Sequence, residues 1–319
     1  MIQDILPKQL YNQYAEYQPR EEDTVFIFQG STTLAKQEGD TFVFPTYGQI
    51  KEHIQGAGRD ALLNEDAKLH DMTGIQYKCI YLFAIDDQRF FLGQKVEKRP
   101  DVGSFKGDES DDQIHDEQVS FLDGYAFAGV NSFRRITPQH MAFAVITAYH
   151  LYGWYRDNMF CGRCGRPMEH DGHQRMMRCY ECGNMLFPKI CPVVIVAITD
   201  GDRIVMTKYA GGNYRNYALV AGFGEIGETI EETVHREVME EVGLKVKNLK
   251  YYKSQPWGLS GSLLFGFFCE LDGDDTIKLQ EEELSVGEWM HASEMDEIQP
   301  DGVSLTREMM LKFKEEHQK

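Results

Sequence analysis

Three glutamates, Glu237, Glu240 and Glu241, have the spacing that brings carboxylates onto one face of an α-helix. Like charges at positions i, i+3 and i+4 repel each other by roughly 0.2–0.5 kcal/mol per pair. A divalent cation bound between them would remove this repulsion, and oxygen ligands of this kind suit Mg²⁺ or Mn²⁺. An acidic, solvated helix face has the same spacing, so the three glutamates alone leave both interpretations open.

The residues around these glutamates predict the helix that carries them. Thr229 and Glu232 have the spacing of a capping box, so the helix should begin there. Three valines recur at every fourth position and should form its buried stripe: Val234, Val238 and Val242. Gly243 should end the helix. Arg236 follows Glu228 by eight residues and is expected to reach back and tie the preceding loop to the helix.

Four of the seven cysteines form a second group that can do chemistry. Cys161 and Cys164 make one Cys-x-x-Cys pair, and Cys179 and Cys182 make another, with fourteen residues between the pairs. Two such turns complete a tetrahedral, closed Zn²⁺ site that holds a fold together. The competing interpretation is a zinc ribbon that binds nucleic acid through nearby arginines: Arg163, Arg166, Arg175 and Arg178.

Composition limits the classes of protein that fit. The chain has 319 residues, enough for two domains and a small third module. A net charge of −18 argues against electrostatic binding to long nucleic acid, although a bound metal ion still allows a phosphorylated substrate. No apolar run approaches the ~20 residues of a membrane span. With no leader-like segment at Met1 and with paired cysteines, the expected location is the reducing cytoplasm.

Apolar patterns predict the elements that position these groups. In the first part, strands are expected at 25–28, 41–44, 79–85 and 89–92, a surface loop at 107–118, and a helix with Thr137 as N-cap and Pro138 in its first turn. In the last part, a hairpin is expected at 193–198 and 203–206, strands at 263–271 and 287–291, and a final helix at 305–316. Mixed elements of this kind predict a sheet covered by helices.

The segment from Gly222 to Leu244 resembles the Nudix box, GX5EX7REUXEEXGU, in which U is a bulky aliphatic residue. It matches at all nine fixed positions: Gly222, Glu228, Arg236, Glu237, Val238, Glu240, Glu241, Gly243 and Leu244. Fixed spacing over nine positions is far more specific than a short glycine motif. The resemblance implies a Nudix hydrolase that cuts a pyrophosphate bond with Mg²⁺ or Mn²⁺.

The arrangement of the whole chain resembles the bacterial NADH pyrophosphatase family of Nudix hydrolases, some of which remove an NAD cap from RNA. The family has a zinc ribbon before its Nudix domain and a tag, SQPWPFPxS, after the box. Ser254, Gln255, Pro256, Trp257 and Ser262 match that tag, whereas Gly258-Leu259-Ser260 replaces Pro-Phe-Pro. The implied fold is α+β: an N-terminal β-rich domain (1–157), a Cys₄ zinc ribbon (158–188) and a C-terminal α/β/α Nudix sandwich with a mixed sheet (189–319).

The resemblance also implies roles for individual residues. Glu237, Glu241, Glu240, the carbonyl of Ala221 and Glu283 would bind the catalytic metal, although Glu281 and Glu282 leave the register of Glu283 open. Glu240 or Glu241 would be the general base, and Arg236 belongs to the catalytic set. The implied substrate contacts are as follows: Phe187, Phe223, Gln255, Pro256, Trp257, Ser262 and Arg134. Phe187 would reach a site across a homodimer.

The expected reaction is hydrolysis of NADH or NAD⁺ to a nicotinamide mononucleotide and AMP, and possible removal of the NAD cap from RNA, with no membrane partner. Two alternatives stay open. The first is another Nudix substrate, such as ADP-ribose or a dinucleoside polyphosphate, because the departure at 258–260 changes the implied pocket. The second is a nucleotide-sensing protein that binds nucleic acid and has a silent Nudix domain.

Overall fold

A computed structural model of the chain describes residues 1–57, 77–95, 122–211, 216–280, 282–298 and 300–317. These residues form two compact units, one of residues 5–188 and one of residues 1–4 together with 189–319. The zinc ribbon segment falls in the same unit as residues 5–157, and the three-part division stays a prediction. The predicted loop at 107–118 lies outside the described residues.

Unit 5–188 is rich in β-strands, as expected. The strands are β1 (Leu10–Tyr11), β2 (Thr24–Phe26), β3 (Phe28–Gln29), β4 (Thr32–Glu38), β5 (Thr41–Val43), β6 (Ile54–Ala57), β7 (Tyr77–Ile85), β8 (Gln88–Lys95), β9 (Ala126–Gly129), β10 (Glu169–His170), β11 (Met177–Arg178) and β12 (Met185–Leu186). The helices are α1 (Tyr47–Ile50), α2 (Gln139–Asp157) and two 3₁₀ helices, at Lys51–His53 and Val130–Arg135.

Three sheets organise these strands. The largest has the order β1-β7-β8-β2 with β6 beside β7, the second has the order β3-β4-β5 with β9 beside β4, and the third is β10-β11-β12. The strand expected at 25–28 is two strands, because β2 pairs in parallel with β8 whereas β3 turns away to pair with β4. Residues 25–28 are apolar throughout, so their sequence fits either sheet. Only the pairing partners show that they belong to two strands.

Helix α2 begins one residue later than its sequence pattern predicts. The prediction that Thr137 is the N-cap is wrong, because Pro138 has an extended backbone (ψ 150°) and is itself the N-cap. The carbonyl of Thr137 accepts a hydrogen bond from the Thr41 hydroxyl and the carbonyl of Pro138 accepts one from the Met141 N–H. The sequence pattern shows that proline lies at the start of the helix, but the backbone angle decides on which side of the boundary.

The second unit is a three-layer α/β/α sandwich. Its strands are β13 (Cys191–Asp200), β14 (Arg203–Tyr209), β15 (Val220–Phe223), β16 (Val246–Trp257), β17 (Ser262–Leu271) and β18 (Leu284–His291). They form one mixed sheet of order β16-β17-β13-β14-β18, with β15 beside β13. Among the described strands of this sheet, β13 and β17 pair in parallel and the other pairs are antiparallel.

One helix covers each face of this sheet. On strand β13, Val194, Val196 and Ile198 face α3 (Ile230–Val242), whereas the alternate residues face α4 (Leu305–His317). This alternation follows from the two-residue repeat of a strand. The hairpin, the strands at 263–271 and 287–291 and the last helix are confirmed within one to three residues at each end, and β16 is an element that the sequence pattern did not predict. None of the helices among the described residues is long and apolar enough to cross a membrane.

Candidate active site

Helix α3 is fixed in register at both ends. The Thr229 hydroxyl accepts a hydrogen bond from the Glu232 N–H (3.2 Å), and the Glu232 carboxylate accepts one from the Thr229 N–H (2.7 Å), which is a complete capping box. Gly243 ends the helix in the left-handed conformation, with φ 68°. Val234, Val238 and Val242 are fully buried, which confirms the predicted stripe, and each contributes ~1.5–3 kcal/mol to folding.

The predicted glutamates do not form a solvated face. The side chains of Glu237 and Glu241 are buried, with 8% and 3% exposure, whereas Glu240 is exposed. Both buried carboxylates lie against strand β15. A Cβ atom placed on Gly222 would overlap the carboxylate of Glu237, and the main chain of Ala221 makes a hydrogen bond to Glu241. Gly222 is therefore required because only a residue without a side chain leaves room for the carboxylate.

Burial and mutual repulsion make these carboxylates resist ionisation. Burial, and then the charges of Glu237 and Glu283, raise the pKa of Glu241 to about 8 from its usual value near 4.5. Burial also raises the pKa of Glu237, and Glu240 and Glu283 add to this effect. Buried carboxylates that repel one another bind a divalent cation favourably, because the cation supplies the missing positive charge. The donor set therefore fits Mg²⁺ or Mn²⁺.

Glu283 approaches this pair through the main chain of an intervening loop. The Gln280 N–H donates to the carbonyl of Glu241 (3.1 Å), and the Glu283 N–H donates to the carbonyl of Gln280 (3.0 Å). Of Glu282 and Glu283, the two residues of the acidic run that the structure describes, Glu283 is the one whose charge raises the pKa of both buried glutamates. Sequence reasoning missed Gln280, and no local pattern marks it, because its role depends on a contact with a helix nearly forty residues earlier.

Arg236 holds the loop and the helix together. Its Nε and Nη2 donate to the two carboxylate oxygens of Glu228 (2.6 and 3.0 Å), which confirms the predicted tie. Nη1 donates to Glu237 and Glu240, and Nη2 also donates to the carbonyl of Phe223. All five N–H donors of the guanidinium are thus engaged. The guanidinium lowers the pKa of Glu228 to about 2. In this arrangement Arg236 positions the carboxylates.

Four of the five cysteines of unit 5–188 form a compact cluster. Their sulfur atoms all lie within 4.8 Å of one another: Cys161, Cys164, Cys179 and Cys182. The Gly165 and Gly183 N–H groups donate to the carbonyls of Cys161 and Cys179, and both glycines have φ near 70°. Zn–S bonds of ~2.3 Å in a tetrahedron place sulfur atoms roughly 3.8 Å apart. The cluster therefore fits one closed zinc site made of two matching turns.

Comparison with known proteins assigns both segments. Residues 189–313 match the family model of the NUDIX domain. Residues 156–187 match the NADH pyrophosphatase zinc ribbon domain. The two matches follow one another along the chain in the order that the sequence resemblance implies.

Curated relatives are similar to about half of the chain. The chain is 39% identical over 157 residues to the NAD-capped RNA hydrolase NudC of Salmonella paratyphi C, which covers 49% of this chain and 61% of the relative. It is 36% identical over 173 residues to the protein of that name from Actinobacillus succinogenes, which covers 52% and 65%. A solved Nudix hydrolase from Nitrosomonas europaea is 19% identical and covers 50% of this chain and 92% of that chain, with a TM-score of 0.43.

The remaining predicted contacts are divided between the two units. Phe223 lies at the end of β15 in the Nudix domain, with 54% exposure, and Pro256 and Trp257 end strand β16. Trp257 packs against the apolar core beneath α4. Phe187, with 55% exposure, and Arg134, in the 3₁₀ helix, belong to unit 5–188.

Gln255 does not line an open pocket, contrary to the position that the resemblance implies for it. Its side chain is completely buried; Nε2 donates to the carbonyl of Val303 (2.7 Å) and Oε1 accepts from the Leu305 N–H (2.7 Å). These two bonds fix the start of α4 to strand β16. Ser262 is also buried, and its hydroxyl lies 2.9 Å from that of Ser260 across the turn between β16 and β17. Both side chains therefore serve the framework around the exposed end of β16.

Proposed function

We propose that this chain hydrolyses the pyrophosphate bond of NADH or NAD⁺ to a nicotinamide mononucleotide and AMP, and that it also removes the NAD cap from RNA. The observation that carries the proposal is the pair of buried carboxylates, Glu237 and Glu241, with Glu283 close by on a Nudix domain. The NADH pyrophosphatase type of zinc ribbon and the relatives described as NAD-capped RNA hydrolases support this choice of substrate.

The proposed metal ligands are Glu237, Glu241, Glu283 and the carbonyl of Ala221, with Glu240 nearby. The bound ion would orient the attacking water and neutralise charge on the phosphate oxygens. Arg236 holds Glu237 and Glu240 in place, and its hydrogen bond to the carbonyl of Phe223 fixes the aromatic residue beside them. Glu240 or Glu241 would accept the proton of the water, a step that contributes ~10²–10⁴-fold to the rate.

Exposed aromatic residues would bind the substrate. Phe223 is free to stack on a planar ring because its own ring is half exposed at the end of β15. We assign Pro256 and Trp257 to the same pocket, Arg134 to a substrate contact, and Phe187 to a contact completed in a homodimer. The zinc ion would be structural, because four thiolates leave no open coordination position. We further propose the cytoplasm as the compartment, since a reducing environment keeps these thiols free to bind metal.

One observation favours a second candidate substrate. The turn after Trp257 carries Gly258, Leu259 and Ser260, and the Ser260 hydroxyl bonds to Ser262. A turn without proline or an aromatic ring presents less rigid apolar surface to a nicotinamide ring. The same carboxylates would then act on ADP-ribose or a dinucleoside polyphosphate.

Product analysis of the purified protein tests both candidates. NADH, NAD-capped RNA and ADP-ribose would each be incubated with Mg²⁺ or Mn²⁺, and the products separated by chromatography. The matched variants are Glu241→Gln, which removes a buried ligand, and Glu231→Gln, which removes an exposed carboxylate from the first turn of the same helix.

We expect NMNH and AMP from the wild type and from Glu231→Gln, and a loss of turnover of at least about 10²-fold in Glu241→Gln. Cleavage of ADP-ribose without cleavage of NADH would favour the second candidate. Full turnover of NADH by Glu241→Gln would overturn the assignment of the metal site.

A further inference from the structure

An open groove lies in unit 5–188. Its volume is about 690 Å³, within the ~300–1,000 Å³ typical of small-molecule sites. Four tyrosines and two arginines line it: Tyr11, Tyr14, Tyr17, Tyr81, Arg20 and Arg89. Tyrosines gathered around basic side chains form surfaces on which planar rings stack.

Two of these tyrosines have rings available to a ligand. Tyr11 is 44% exposed and Tyr17 is 48% exposed. The ring of Tyr17 has two supporting contacts, because it forms a T-shaped pair with the ring of Tyr81 (5.0 Å between ring centres, 87°) and the guanidinium of Arg89 lies over it, 4.4 Å from its centre. A ring that is fixed in this way loses little conformational freedom when a ligand stacks on it.

The arginines at the groove differ in their carboxylate partners, and Arg20 lies 3.9 Å from the carboxylate of Glu22. Within the described ranges, neither Arg89 nor Arg175 lies within 4 Å of a carboxylate oxygen. Nη2 of Arg175 donates to the carbonyls of Leu82 and Asn12, next to groove residues, and its Nη1 is buried with no hydrogen-bond partner among the described residues. Its positive charge acts to lower the pKa of the phenols of Tyr14 and Tyr81, against the larger effect of their burial. A half-buried guanidinium without a counter-ion favours binding of an anion.

Two aspartates limit the kind of anion that fits. Asp86 is neutralised by the Lys8 ammonium (3.1 Å) and accepts the Gln9 N–H, whereas the carboxylate of Asp87 also lines the groove. A bare polyanion would be repelled by Asp87. A nucleotide offers a phosphate to the arginines, a planar base to the tyrosines and amino or hydroxyl donors to Asp87.

We propose that this groove binds a nucleotide unit, with the base stacked on Tyr17 and the phosphate held by Arg89. The unit is either a free mononucleotide or one residue of a single-stranded RNA. The groove is built wholly from unit 5–188 and uses no residue of the Nudix domain, so the proposal stands apart from the proposed hydrolysis.

The test is a binding measurement with the full-length protein in a Glu241→Gln background, so that no substrate is consumed. The probes are AMP, ribose 5-phosphate and a fluorescently labelled ten-nucleotide adenine RNA, and binding would be followed by calorimetry and fluorescence anisotropy. The groove variants are Tyr17→Ala, Tyr17→Phe and Arg89→Ala. Tyr251→Ala is the control, because Tyr251 is a comparably exposed tyrosine (54%) in the other unit.

We expect Tyr17→Ala to weaken binding at least about fivefold, the lower end of a base-stacking contribution. Tyr17→Phe should retain binding and Arg89→Ala should weaken it. Tyr17→Ala should not change the affinity for ribose 5-phosphate, because this probe has no base. If Tyr17→Ala weakens the binding of AMP, the groove binds mononucleotides. If Tyr17→Ala weakens the binding of the RNA alone, the groove binds single-stranded RNA. Affinities unchanged by Tyr17→Ala, or reduced equally by Tyr251→Ala, would overturn the proposal. NADH hydrolysis by Tyr17→Ala in the active protein should equal that of the wild type.

Discussion

Replacing Glu241 with glutamine should remove a pH-dependent loss of stability that we expect when the protein holds no Mg²⁺ or Mn²⁺. Burial and the neighbouring carboxylates raise the pKa of Glu241 to about 8, whereas in the unfolded chain it should be near 4.5. Between these values the folded protein binds more protons than the unfolded chain, so stability falls as pH rises through this window. Glutamine is neutral at every pH and keeps the size of the protonated side chain.

The magnitude follows from the size of the pKa shift. Each pKa unit corresponds to ~1.4 kcal/mol, so ionising Glu241 costs the folded protein roughly 4–5 kcal/mol when no cation is bound. Since 1 kcal/mol changes the melting temperature of a domain of 150–250 residues by about 2–4 °C, the difference between wild type and variant should approach the order of 10 °C. Because burial also raises the pKa of the neighbouring Glu237, the loss of stability with rising pH reflects the ionisation of both carboxylates.

The assay is thermal unfolding of the Nudix unit from pH 5 to pH 9 in buffers freed of divalent cations by a chelating resin. Near pH 5 the wild type and Glu241→Gln should melt close together, and by pH 8.5 the wild type should melt well below the variant. Added Mn²⁺ should restore the wild type and leave the variant nearly unchanged. Glu231→Gln should follow the wild type throughout. Parallel curves for wild type and Glu241→Gln across this pH range would refute the reasoning.

Three further changes test the site and its supports. Gly222→Ala should reduce turnover by at least about 10²-fold in a folded protein, because the new methyl group displaces the carboxylate of Glu237. The control Gly224→Ala, whose Cβ would make ordinary contacts at 3.4 Å, should stay active. Equal activity of the two variants in a hydrolysis assay would contradict this prediction. Cys179→Ser should lower the zinc content from one ion per chain and reduce the melting temperature of unit 5–188, which metal analysis and calorimetry would measure. Gln255→Ala should reduce the free energy of unfolding by about 1–3 kcal/mol, since it leaves the buried Leu305 N–H unpaired and removes one of the two hydrogen bonds that the Val303 carbonyl accepts, the other coming from the Ile2 N–H. Denaturation midpoints equal to those of the wild type would show that the Leu305 N–H finds another partner.

The sequence by itself determined the parts of the site that depend on local spacing. The capping box, the valine stripe, the glycine end and the link from Arg236 to Glu228 all join residues within one helix or its preceding loop. Each is set by the 3.6-residue repeat and by backbone groups that need partners at helix ends. The two Cys-x-x-Cys turns are equally local, so their convergence on one point was predictable from spacing and glycine positions.

Only the tertiary structure decided which charged and polar groups lie in the interior. Spacing put three glutamates on one face, but the packing of α3 on β15 buries Glu237 and Glu241 and leaves Glu240 exposed. Gln255 sits in a motif that resembles a substrate-binding tag, yet its bonds at the start of α4 make it part of the framework. The approach of Glu283 and the tyrosine groove likewise join residues distant in sequence. Such contacts depend on how elements pack, and no repeat within a single element encodes them.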